Sequence, residues 1–210
     1  MSCSTRWSTR ERWWCPALLA ACLAASPAWA NAADPGSAPA EASTASPGAA
    51  SLLPAAALVG AGTLRFFGIP IYEARLYAGL GWRADALGRE PIVLELTHAR
   101  RFRGRDIARR SIDEMRRAGP LEPADEAAWL RAMQRLFPDV QAGDRIAGLW
   151  QPGVGARFVH TSPDGRIRVL GELADARFAE RFFGIWLAAT TSEPGLRQAS
   201  LALPSPPTTP

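Results

Sequence analysis

Hydrophobic and polar positions change period several times along this chain, and each change marks an element. Leu64 to Ile71 and Ile71 to Leu80 are rich in β-branched and aromatic residues, with a break at Gly68-Ile69-Pro70. In the second run Ile71, Glu73, Arg75 and Tyr77 alternate with Tyr72, Ala74, Leu76 and Ala78, which predicts a strand with one strongly apolar face and one mixed face. Pro91 to Thr97 predicts another strand. Helical spacing then takes over. Ile107, Ala108, Ser111, Ile112 and Met115 share one face of a helix expected over 105–118, which Gly119-Pro120 ends. Pro123 opens a second helix, with Ala128, Trp129, Ala132, Met133, Leu136 and Phe137 as its apolar stripe. Strands return over 144–151, 155–161 and 166–170, the last two flanking the hairpin turn Ser162-Pro163-Asp164-Gly165. A helix over 174–188 carries Phe178, Phe182, Ile185, Trp186 and Ala189, and a weaker one spans 194–201. Strands, two helices, strands, two helices predict an α+β fold, a mostly antiparallel sheet with helices packed on one face.

The two ends of the chain behave differently. Arg6, Arg10 and Arg12 precede an apolar stretch from Trp13 to Ala25, too short to span a bilayer, and then Ser26-Pro27-Ala28-Trp29-Ala30. Small residues at Ala28 and Ala30 predict an export signal over 1–30, cleaved after Ala30, and hence a periplasmic or otherwise exported protein. Leu19-Ala20-Ala21-Cys22 also fits a lipoprotein cleavage box, which would anchor the chain through Cys22. Residues 31–51 are Ala, Pro, Ser and Gly with few charges, and read as a flexible linker. The folded domain is expected over 52–203, and 204–210 as a disordered tail.

Composition narrows the chemistry. Of the 210 residues, 48% are apolar and 21% charged, ordinary globular values that exclude a wholly disordered chain. All 24 basic residues are arginine. Without the leader there remain 21 arginines against 19 acids, no bias toward nucleic acid. Cys3, Cys15 and Cys22 all lie in the leader, so the domain has no disulfide, thiolate nucleophile or Cys-ligated metal. His98 and His160 are the only histidines and lie far apart, so no metal site is expected. No Gly-x-Ser-x-Gly turn is present. Gly60-Ala61-Gly62 lacks a third glycine and precedes a strand, so no dinucleotide or other cofactor is expected.

Several segments together resemble the chalcone isomerase-like domain family, in its exported bacterial branch. They are Gly60-Ala61-Gly62 with Leu64-Arg65-Phe66-Phe67-Gly68, then Ile71 to Tyr77, Ile107 to Met115, and Phe182-Phe183-Gly184-Ile185-Trp186-Leu187. The resemblance runs from Leu58 to Leu203. It implies an open-faced β-sandwich, a large antiparallel sheet covered by helices. Family members include plant enzymes that close a flavanone ring and others that bind fatty acids without known catalysis. In the enzymes an Arg after a Gly-x-Gly segment stabilises an enolate, with a Thr on the following strand and a Tyr and an Asn from a helical region. Arg65 matches that Arg, one residue late, and Tyr72 falls near the Thr position. Neither of the two central helices contains a Tyr, so the catalytic set is incomplete and whether the chain is an enzyme stays open.

Each candidate also has a structural reading. Arg65 can fork onto a carboxylate or an enolate oxygen, or sit on a solvated strand. Tyr72 can donate a phenolic proton beside it, or pack half-buried in the sheet. Tyr77 reads as core. His98 to Arg105, extended by Arg109 and Arg110, can hold an anionic group or make peripheral contact with anionic lipid, or be a solvated run offset by Asp106, Asp113 and Glu114. Three functions follow. The first is non-catalytic binding of a small hydrophobic carboxylate such as a fatty acid between sheet and helices, through Arg65 and Tyr72. The second is an intramolecular lyase or isomerase acting on an enone-like substrate, with Arg65 catalytic. The third is an envelope interaction module without ligand. The sequence leaves the oligomeric state open.

Overall fold

The computed structural model describes residues 45–202 of the chain. The expected export signal (1–30), most of the expected linker and the expected tail (204–210) lie outside these residues. Six strands form one sheet in chain order: β1 (Ala57–Phe66), β2 (Ile69–Ala78), β3 (Ile92–His98), β4 (Arg145–Gln151), β5 (Gly155–Thr161) and β6 (Ile167–Leu173). Every neighbouring pair is antiparallel. Four helices, α2 (Gly104–Arg117), α3 (Pro123–Leu136), α4 (Ala176–Leu187) and α5 (Pro194–Leu201), pack on one face. The expected α+β, open-faced architecture is therefore the observed one. The first strand begins earlier than its apolar run suggested, at Ala57, because Gly60-Ala61-Gly62 is itself paired to β2.

Alternation along the strands sorts residues onto two faces. Tyr72, Ala74, Leu76 and Ala78 of β2, with Ile92 and Leu94 of β3 and Phe158 of β5, face the helices and join the main core. Helix α4 adds Phe178, Phe182, Phe183 and Trp186 to it. Tyr77, Val93, Ala147, Leu149 and Val159 face the other way and form a smaller cluster. That cluster is covered by α1 (Pro47–Leu52), a short helix that falls, save for Leu52, in the segment read from sequence as linker. Ser46 caps it by accepting from the Ala49 amide at 3.2 Å, and Pro47 opens it with a φ already suited to a first turn. The Ala/Pro/Ser/Gly composition concealed a packed element because small residues allow close approach to the sheet.

Two glycine-containing sites bear on the fold. Gly60 lets α5 lie directly on β1: a Cβ there would come within 2.4 Å of the Ala199 carbonyl oxygen and 2.6 Å of that of Ser200. The β1–β2 hairpin turns on Phe67 and Gly68, with φ of 48° and 78°. Two positive φ values across a two-residue loop match the strand twist, a geometry that favours Asn-Gly. Phenylalanine there carries steric strain against the following carbonyl.

Gly60→Ala is expected to lower stability by about 1–3 kcal/mol, by forcing α5 off β1. Urea unfolding measures it, and an unchanged midpoint would refute the close approach. Phe67→Asn is expected to raise stability by about 1 kcal/mol in the same assay, because asparagine tolerates the left-handed conformation.

Candidate functional site

The two residues singled out by sequence receive separate partners. Arg65 is exposed near the end of β1, and its Nη1 donates to the Gly68 carbonyl at 3.0 Å, so the guanidinium braces the hairpin turn. Tyr72 pairs across the hairpin with Leu64 and packs against the helix-side core. Its hydroxyl accepts from Trp186 Nε1 at 2.9 Å. No hydrogen bond joins Arg65 to Tyr72 among the described residues. Burial pushes the Tyr72 phenol far above its ordinary value, an effect that the Trp186 hydrogen bond and the charge of Arg110 only partly offset. Such a phenol can donate a hydrogen bond but is not ionised near neutrality, so it is no general base. Beside it, Glu114 on α2 is buried, ion-paired to Arg110 and Arg117, and receives the Ser192 hydroxyl at 3.1 Å. The corner where β2 meets α2 and α4 is thus occupied by side chains engaged with one another.

Two groups that sequence spacing kept apart come together elsewhere. His98 at the end of β3 and His160 on β5 both reach Asp144, which precedes β4. His160 Nε2 lies 3.1 Å from the Asp144 carboxylate, while His98 Nδ1 lies 3.3 Å from the Asp144 carbonyl oxygen. The second carboxylate oxygen accepts from the Gln141 amide at 2.7 Å. Burial pushes the His98 imidazole below its ordinary value, against the opposing pull of the Asp144 carbonyl and carboxylate. The cluster ties three strand ends together. Among the described residues no group of three or more His, Cys, Asp or Glu side chains is placed to hold a metal ion.

The second face of the sheet holds a polar cluster and, beside it, a groove. Glu95, in the middle of apolar β3, is 1% exposed beneath α1 and accepts the Ser46 hydroxyl at 2.6 Å. Burial pushes its carboxyl above the ordinary value, with the Ser46 hydrogen bond and the Arg145 and Arg75 charges opposing. Burial and the Glu95 charge raise the Tyr77 phenol in the same cluster, with Arg75 and Ser46 opposing. Next to α1, a groove of about 450 Å³ runs over β5 and β6. Leu52, Val159, Ile167 and Val169 line it, and Arg157 and Glu172 stand together at one end, 3.2 Å apart. Val169 is 69% exposed, a large open fraction for a β-branched apolar side chain. Sequence reasoning passed over this groove. Its one signal was the Ile167–Val169 alternation on a strand whose partner face had not been assigned.

No protein-family model matches the chain. An uncharacterized protein of Haemophilus influenzae is 26% identical over 122 residues, 58% of this chain and 56% of that protein. The chain thus matches little more than half the length of that relative. Among solved structures, an Arabidopsis thaliana fatty-acid binding protein superposes with a TM-score of 0.52 at 13% identity, covering 76% of this chain and 95% of that one. The likeness places the fold with the chalcone isomerase-like architecture expected from the resemblance.

The His98 environment sets a pH dependence with a definite sign. Its folded pKa lies below the ordinary 6.5, so the unfolded chain binds the proton more readily. The neutral form contributes full stability above about pH 6.5, and that contribution falls as pH drops toward the folded value. Glu95 acts oppositely: its folded pKa is above the ordinary 4.5, so the cost of burying its charge is relieved as pH falls through that raised value. His98→Asn keeps a donor toward the Asp144 carbonyl and removes the titration. Urea unfolding between pH 5 and 8 is expected to show a steeper loss in the parent than in His98→Asn; parallel profiles would refute the assignment.

Proposed function

We propose that this protein is an exported binding module for a small hydrophobic carboxylate of the fatty-acid class, without catalytic activity. The groove over β5 and β6 carries the reading. It offers about 450 Å³ of open space along the sheet. Leu52, Val159, Ile167 and Val169 provide apolar walls for an acyl chain, and Arg157 offers a guanidinium at one end. Arg157 is held by Glu172 in an exposed ion pair at 3.2 Å, an interaction worth about 0–1 kcal/mol. A ligand carboxylate can therefore take the place of Glu172 at small cost, with a bidentate fit to the guanidinium. The fold likeness to a plant protein described as fatty-acid binding supports the ligand class. The arginine-led, apolar and small-residue order of the N-terminus supports export. The non-catalytic part rests on Tyr72, whose burial keeps the phenol protonated, and on Arg65, which is engaged at the hairpin turn.

One experiment tests both parts. The full gene is expressed in a bacterium, the protein is recovered by cell fractionation, its N-terminus is read, and native mass spectrometry follows its uptake of palmitate. The expected result is periplasmic protein beginning at Asn31 that binds one palmitate. Arg157→Gln is expected to weaken binding about 10-fold and Val169→Asp to abolish it. A chain lipidated at Cys22 would replace the soluble form of export with an anchored one. Loss of binding in Arg65→Gln or Tyr72→Phe, with the groove variants unaffected, would move the ligand between sheet and helices. No palmitate uptake by the folded protein refutes the function.

A further inference from the structure

We infer that one end of the sheet is a docking surface for an anionic lipid bilayer. Its leading feature is the tip of the β1–β2 hairpin. Phe67 is 87% exposed there and Ile69 is 42% exposed. The hairpin overhangs its neighbour: His98, the last residue of β3, pairs with Tyr72. Ile69 is thus three residues, about 10 Å, beyond the end of β3, and Phe67 further still. An aromatic ring is held on a projecting turn, in a backbone conformation that ordinary side chains disfavour, away from any core it could stabilise.

Exposed guanidiniums follow that tip along the chain. The chain leaving β3 stays beside the hairpin, with the Ala99 amide donating to the Ile71 carbonyl at 2.9 Å. Arg100, Arg101 and Arg103 follow, all exposed and none with a carboxylate in ion-pair range among the described residues. Arg65 adds a fourth guanidinium, fixed at the turn by the Gly68 carbonyl. The nearby acids are already engaged: Glu73 pairs with Arg75 at 3.1 Å, Asp106 lies 3.7 Å from Arg105 and 3.9 Å from Arg109, and Asp139 accepts the Gly104 amide at 2.9 Å. An apolar tip ahead of a belt of unpaired arginines matches the order of materials at a bilayer surface, where acyl chains lie beneath anionic phosphates. A nucleic acid would need several stacking rings along a groove, whereas here an aromatic and an aliphatic residue crown a convex finger. The surface is separate from the ligand groove, which lies over β5 and β6.

The full chain is tested against vesicles of phosphatidylglycerol and phosphatidylcholine (1:3) and against phosphatidylcholine alone, by co-sedimentation and by hydrogen exchange with and without lipid. Binding is expected to the anionic vesicles only, to weaken with added salt, and to slow exchange in segments 64–70 and 99–105. Arg100→Gln with Arg101→Gln is expected to lower partitioning roughly 10- to 30-fold. Phe67→Asn, which keeps the fold and stabilises the turn, is expected to lower it roughly 10-fold. Arg83→Gln with Arg89→Gln removes the same charge at the opposite end of the strands and is expected to change binding less than about 2-fold, because salt screens charges beyond roughly 8 Å. Equal loss in both arginine pairs, or protection that spares segments 64–70 and 99–105, overturns the inference. Protection of the hairpin that rises with protein concentration and needs no lipid overturns it in favour of a second copy of the chain.

Discussion

The aromatic layer between α4 and the sheet is the constraint from which the rest of the structure follows. Trp150 and Phe183 stack with centroids 5.6 Å apart and planes within 6°. Phe158 meets Phe182 edge-on at 5.3 Å, and Phe137 meets Phe158 at the same distance with planes at 90°. Offset and edge-to-face pairs of this kind add to the burial of large apolar surfaces. Helix α4 must lie flat on β4 and β5 to make them, and α2, α3 and α5 complete the same layer. Every long helix is then committed to one face. Among the described residues the other face carries a six-residue helix, which does not reach the far edge of the sheet. The exposed Ile167 and Val169 follow from that shortfall, and so does the groove they line.

Buried polar groups mark the places where the layers are joined by hydrogen bonds as well as by apolar contact. Asp175 caps α4 by accepting from the Arg177 and Phe178 amides, and also accepts from Trp129 Nε1 at 2.9 Å, so one carboxylate fixes α4 to α3. Asp139 does the same for α2, whose own N-terminal residue supplies no capping side chain. Ser46 links α1 to Glu95 across the second face. In the last case the match is imperfect: one Glu95 oxygen and the buried Thr161 hydroxyl find no partner among the described residues. A desolvated carboxyl in that position costs stability.

The same scaffold separates its chemistry in space. The helix-side corner around Tyr72 is a packing joint, where Tyr72 is bonded to Trp186 and Glu114 is paired with Arg110 and Arg117. The apolar groove lies on the other face, and the unpaired arginines lie at one end, where loops leave the strands. Such sites belong to a rigid sheet whose surfaces are not all needed for stability.

The periods of the sequence were local information and translated directly. Apolar spacing in 107–115 and 128–137 placed α2 and α3 within a residue or two, and alternation in 71–78 assigned Ala74 and Leu76 to one face and Arg75 and Tyr77 to the other. The order of elements was enough for the α+β sheet with helices on one side. The resemblance also pointed to the right architecture, and to Arg65 and Tyr72, but only the pairing register could show that the first ends at a turn and the second under Trp186. Composition suggested a linker over 31–51, because Gly and Ala carry no periodic signal, yet at its C-terminal end their small size is what lets α1 settle on the strands. The meeting of His98 and His160 at Asp144, the burial of Glu95 and the groove at Val169 depend on contacts between residues far apart in the chain. Local pattern states which side of a strand is apolar; only the assembled layers decide which apolar side is covered and which is left open.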